Sequence, residues 1–126
     1  MRRPGSARSL ALCLASLVVM GAGDAGRGFG VVTRQSSTCV LCHAGPFPNP
    51  HLQGDIGPDL HGVGARLLPD EIRARLVDAA AVNPDTVMPS FGVVRDGTRI
   101  GTAWRGRPIL TQAEIDDAVA YLAGLK

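Results

Sequence analysis

Two cysteines and a histidine stand together at residues 39–43, as Cys39-Val40-Leu41-Cys42-His43. Three chemistries use such a set: a redox-active dithiol, a zinc site, and thioether attachment of a haem. In the last, each sulfur adds to one haem vinyl group, and a helical turn with two intervening residues matches the spacing of the vinyls along one porphyrin edge. The histidine after the second cysteine then lies under the ring, where its imidazole can bind iron. The other two chemistries lack their usual setting. A thioredoxin-like CxxC sits between a strand and a helix, and no strand pattern surrounds this one. Structural zinc takes four ligands, whereas His51 and His61 are single residues spaced ten apart. Two idle thiols in an oxidising compartment would be reactive for no gain. The residue types point to one covalent haem c on Cys39 and Cys42, with His43 as an iron ligand.

Iron held this way needs a second axial ligand or an open site. Met88, in "TVMPSF", is the expected ligand, because a soft thioether opposite histidine raises the reduction potential and suits electron transfer. It stands in a loop beside Pro89 and not on a helical stripe, where methionine usually fills core. His51 and His61 are the rival ligands, but a lone loop histidine is more often solvated or hydrogen-bonded. The stretch "GPDLHGVG", 57–64, has two readings that spacing does not separate. One is a simple Gly-Pro turn. The other makes the Pro58 carbonyl the acceptor that fixes the His43 ring through Nδ1–H.

Arg2, Arg3 and Arg8 precede an apolar run at 10–20, the pattern of a secretory signal peptide. The run is too short to span a bilayer. Small residues Gly21, Ala22, Gly23 and Ala25 follow it, so cleavage is expected near Gly23 or Ala25, dividing the chain into a leader, 1–25, and a domain, 26–126. Nothing extends Arg2-Arg3 into a twin-arginine motif, and Cys13 comes too early in the run for a lipoprotein box. A soluble periplasmic protein is expected. Of 13 basic and 11 acidic residues, the leader takes three arginines and Asp24, leaving ten of each and a formal charge of zero. Without clustered positive charge, neither nucleic acid nor a membrane surface is an expected partner. Of three cysteines and three methionines, only Cys39, Cys42 and Met88 lie beyond the leader. A disulfide scaffold would need pairs closing long loops, which one CxxC does not supply.

The elements that must position these residues are short. A Gly-rich lead-in at 26–32 is followed by a helical segment at 33–43 carrying both cysteines on adjacent turns. Pro46, Pro48 and Pro50 impose an extended loop up to Pro58. A helix over 67–82 starts with Pro69, Asp70 and Glu71 in its first turn and puts Ile72, Leu76, Ala79 and Ala80 on one face. A long loop containing Met88 turns at Asn83-Pro84, Asp96-Gly97 and Arg107-Pro108. A last helix over 111–126 opens with a Thr111/Glu114 capping box, carries Ile115, Ala118, Val119 and Leu122 as an apolar stripe, and ends near Gly124. The expected fold is all-α. Loops this long in about 100 residues need something to pack on, and the five aromatics, Phe29, Phe47, Phe91, Trp104 and Tyr121, are few. A large flat cofactor would complete the core.

With CVLCH, a downstream GPDL, a methionine followed by proline and a final amphipathic helix, the chain resembles class I cytochrome c over its length beyond the leader. The resemblance implies that the first and last helices cross, that His43 and Met88 bind iron from opposite faces, and that the Pro58 carbonyl holds His43. "CVLCHAGPFPNPHLQGDIGPDLHGVG", "RLVDAAAVNPDTVMPSF" and "GRPILTQAEIDDAVAYLAGLK" are more narrowly similar to the SoxX family, monohaem cytochrome subunits of SoxAX thiosulfate-oxidising complexes. That likeness implies a heterodimer with a SoxA-like cytochrome, a carrier protein whose cysteine receives thiosulfate, and a downstream cytochrome that accepts electrons. The chain would be the electron-accepting subunit of an L-cysteine S-thiosulfotransferase complex, with no catalytic group of its own. The alternative is a free diffusible monohaem shuttle outside any enzyme. The segment 92–104 matches no strict pattern; Arg95, Arg99, Arg105 and Arg107 are expected as ordinary surface charge, with haem propionates or the partner as other uses, and Trp104 as core.

Overall fold

A computed structural model describes residues 22–94, 97 and 100–126. The expected leader up to residue 21, with Cys13 and Arg2-Arg3, and the residues Arg95, Asp96 and Arg99 lie outside the described residues. The helices run α1 (Ala25–Thr33), α2 (Cys39–Cys42), α3 (Val63–Arg66), α4 (Pro69–Val77), α5 (Ala79–Val82) and α6 (Gln112–Ala123), with 3₁₀ turns at Gln35–Ser37, Pro50–Leu52 and Thr102–Trp104. Among the described residues there is no strand, and no helix is long and apolar enough to cross a membrane.

The frame is the packing of α1 on α6, the most extensive helix contact in the fold. The Gly-rich lead-in is therefore not a lead-in: residues 26–32 belong to α1. Glycine costs a helix about 1 kcal/mol relative to alanine, but a Cβ at Gly28 would collide with the Asp117 carbonyl and the Tyr121 side chain. Close approach of two backbones outweighs local propensity here. Asp24 caps the helix by accepting from Arg27 N at 2.7 Å, and Phe29 meets Tyr121 edge to face at 5.6 Å.

The single helix expected over 33–43 is also broken. Arg34 turns extended (φ −72°, ψ 146°), Gln35–Ser37 makes a 3₁₀ turn, and Thr38 adopts a left-handed conformation (φ 60°) before the one-turn α2 begins. Likewise the helix expected over 67–82 divides at Asp78 (φ −146°, ψ 85°) into α4 and α5. There the returning chain takes over the helix end: Phe91 N and Gly92 N donate to the Leu76 and Val77 carbonyls, both at 3.0 Å. Ser90 Oγ donates to Asp78 Oδ1 at 2.6 Å. The α4 start follows its sequence signals, with Pro69 in the first turn and Glu71 accepting from Leu68 N at 2.8 Å.

Thr111 and Glu114 form the capping box of α6. Ile115, Ala118 and Leu122 are buried with Val32, Ile72, Leu76 and Leu110, while Val119 and Ala80 are only partly covered. Gly124 ends α6 with ordinary right-handed geometry (φ −76°). Trp104, expected in the core, is 45% exposed, and the Arg107 guanidinium lies 5.4 Å from its ring centroid. The 101–107 stretch is exposed throughout and offers no interior for the indole.

Ion pairs fasten α6 to the start of the chain. Arg34 lies 2.7 Å from Glu114 and, with the Thr111 amide, holds that carboxyl below its ordinary range. Arg27 does the same to Asp117. Stability from a carboxyl lowered this way is complete above its unfolded value, about 4, and is lost as pH falls through the folded value. Urea unfolding midpoints should therefore fall from about pH 5 to about pH 3, and Glu114→Gln should flatten part of that fall. Ile115, fully buried, should cost about 2–5 kcal/mol on truncation to alanine, measured by the same unfolding.

Candidate functional site

The one-turn helix α2 presents Cys39 and Cys42, and His43 leaves it in extended conformation (φ −119°, ψ 131°) with its N–H on the Cys39 carbonyl at 2.9 Å. Such a turn is far too short to be stable alone. It is held by the chain that passes beside it. Gly54 N donates to Val40 O (2.9 Å), Gly57 N to Cys42 O (2.7 Å) and Leu60 N to Ala44 O (2.8 Å). The proline stretch reaches this position because Gln53 braces it, accepting from Gly45 N at 2.8 Å and donating to Phe47 O at 2.9 Å. Phe47 is buried beneath.

Gly54 and Gly57 are required by these close approaches. A Cβ at Gly54 would overlap the Leu41 carbonyl, and one at Gly57 would fall 2.7 Å from His43 Nδ1, against the face of the ring. His43 Nδ1 lies 2.6 Å from the Pro58 carbonyl oxygen. A carbonyl can only accept, so Nδ1 carries the proton and Nε2 keeps its lone pair for a metal. Arg66 secures the carbonyl's neighbours, donating to Asp59 O at 2.7 Å and to His61 O. Sequence reasoning missed Gly54, Gly57, Gln53 and Arg66. The only available signal was the repeated glycine in "GDIGP".

Cys39, Cys42, His43, Pro58 and Met88 all line one cavity of about 730 Å³. Its walls are mainly apolar, including Val32, Val63, Ile72, Leu76, Phe91 and Leu122. The volume suits a cofactor pocket, ~300–1,000 Å³. Met88 is half-buried, its amide held by Thr86 Oγ1 at 3.1 Å. The rival histidines do not line the cavity. His51 is exposed, and His61 is exposed with its Nδ1 2.7 Å from Asp59 Oδ1. Of the arginines considered from sequence, Arg105 and Arg107 also lie away from it, Arg105 donating to Ile100 O at 3.2 Å. Among the described residues, the cations that line the cavity are Arg66 and Arg75.

The donor set fits a haem. Burial pushes the Cys39 thiol up. Among the described residues no three His, Cys, Asp or Glu side chains converge as a metal-binding group. An apolar cavity with two thiols, one imidazole with a free Nε2 and one thioether fits a flat apolar macrocycle with an iron at its centre.

No family model matches the chain, and no curated protein matches it by sequence. Among solved structures, the chain is similar to one in the crystal structure of SoxXA from P. pantotrophus, with 31% identity and a TM-score of 0.76, covering 85% of each chain. Gly57→Ala should push the His43 ring away from Pro58. In ¹⁵N-resolved spectra this should remove the hydrogen-bonded Nδ1–H signal of His43, whereas Gly30→Ala, whose Cβ would meet nothing, should leave it in place.

Proposed function

The chain belongs to the SoxX family of cytochromes, and from that premise we propose that it is the electron-accepting subunit of a sulfur-oxidising, SoxAX-like complex in the periplasm. The observation that carries the proposal is the convergence of Cys39, Cys42, His43 and Met88 on one apolar cavity. Cys39 and Cys42 hold one haem c as thioethers, His43 and Met88 ligate its iron, and Arg66 and Arg75 are the cations available to its propionates. When bound, the haem supplies a site that takes and gives up one electron.

The protein's own residues set the terms of that exchange. The Pro58 carbonyl fixes the His43 tautomer and strengthens the imidazole as a donor. Met88 favours the reduced iron. The apolar walls exclude water and further raise the potential by disfavouring the extra positive charge of the oxidised state.

In the complex, a carrier-protein thiol and thiosulfate are joined: R–SH + S₂O₃²⁻ → R–S–S–SO₃⁻ + H⁺ + 2e⁻. One sulfur–sulfur bond forms, the thiol proton leaves, and two electrons must be accepted. This chain takes one electron at a time, so a haem of the SoxA-like partner or stepwise passage to a downstream cytochrome takes the other. The chain contributes electron acceptance and not bond formation.

Met88→Ala should keep the haem covalently bound while changing its optical spectrum and lowering its potential, measured by redox titration. Unchanged ligation would remove Met88 from the assignment. Cys39→Ser or Cys42→Ser should weaken attachment itself, read by haem stain on a denaturing gel. A tagged pull-down from the native periplasm should recover a haem-positive band with a second chain in equal amount and support thiosulfate-dependent haem reduction. Recovery of the haem-positive chain alone would favour a free shuttle.

A further inference from the structure

The first described residues of the chain are held in a way that selects one processing site. Small residues at positions −1 and −3 permit cleavage either after Gly23, with Gly21 at −3, or after Ala25, with Gly23 at −3. Sequence alone does not choose. The fold distinguishes the two, because Asp24 does two separate jobs. Its side chain caps α1 through Arg27 N at 2.7 Å. Its backbone N donates to Asp117 Oδ1 at 2.6 Å, from the chain's start to α6. Asp117 is only 7% exposed, and its carboxylate is otherwise met by Arg27 Nε at 2.8 Å and Nη2 at 3.0 Å. Cleavage after Ala25 would remove the cap, and would leave a nearly buried carboxylate with one of its two partners gone.

We propose that the chain is cut between Gly23 and Asp24, so that Asp24 is the first residue of the mature protein and its α-ammonium pairs with Asp117. The inference rests on the export reading and deepens it. In the cut, water adds to the Gly23 carbonyl, the C–N bond breaks, Gly23 keeps the carboxylate, and the Asp24 nitrogen takes a proton. An ammonium beside a helix N-terminus is normally unfavourable; here the Asp24 and Asp117 carboxylates both offset it.

A Cβ at Gly23 would collide with the Asp116 carbonyl of α6, so in the folded chain this bond lies against a helix, and the proposed cut is one made before α1 docks on α6.

The charged groups around the new terminus are the Asp24 carboxylate and Arg27 on its own segment, Asp116 and Asp117 from α6, and Asp70 and Arg73 from α4, with Arg73 paired to Asp116. An ammonium stabilised by Asp117 titrates higher folded than unfolded. Its contribution is whole below the unfolded value, about 8, and is lost as pH rises through the folded one.

The full chain should be exported from its own leader, purified as holoprotein, and read by N-terminal sequencing and intact mass. A start at Asp24 is expected. A start at Gly26, or at any other residue past the leader, would overturn this inference and leave export standing, whereas an intact Met1 start would overturn export itself. Urea midpoints of the Asp24-start protein should fall between about pH 8 and pH 10, and the same protein acetylated on its Asp24 nitrogen, with a neutral amide there, should lack that fall. Equal alkaline profiles would overturn the ion pair.

Discussion

The grip on one imidazole organises this molecule. His43 is clamped between the backbone of Gly57 and the carbonyl of Pro58, 2.6 Å from its Nδ1, and that clamp exists only because three backbone hydrogen bonds tie 40–44 to 54–60. A four-residue helix cannot hold a ligand by itself. The proline-rich loop is thus a structural brace, its prolines limiting the conformations that must be given up on folding. Everything outward from that point, Arg66 behind the loop and Gln53 across its bend, keeps one ring in one orientation.

The first and last described helices supply the frame. α1 and α6 approach closely at Gly28, and ion pairs from Arg27 and Arg34 reach across to Asp117 and Glu114. The site segments hang from this frame as loops and single turns, and the cavity of about 730 Å³ lies among them. An empty apolar volume of that size would forfeit contacts on every wall. A macrocycle filling it would turn those walls into a core, and folding would then be coupled to cofactor binding in the same residues.

Much of this was legible in the sequence where signals are local. The α6 capping box and the Pro69 start of α4 declare themselves in a few adjacent residues, and CVLCH, GPDL and MPSF each contribute residues to one cavity. What was not legible depends on distant partners. Residues 26–32 read as a Gly-rich lead-in because glycine is a poor helix former, yet α6 makes the smallest residue the required one at Gly28. The break at Asp78 comes from a loop that returns to claim carbonyls at the end of α4. Trp104 read as core, and its surroundings left it exposed with Arg107. The 31% identity to a chain of P. pantotrophus SoxXA then supplied the family that the motifs resembled.

The central claim is a single haem bound covalently through Cys39 and Cys42. Its most direct test is the intact mass of the protein purified from the periplasm of cells that mature c-type cytochromes, taken before and after acid–acetone extraction. A mass equal to the processed chain plus one haem, unchanged by extraction, is expected; a bare polypeptide mass, or haem lost to the solvent, would mean that these cysteines do not carry it.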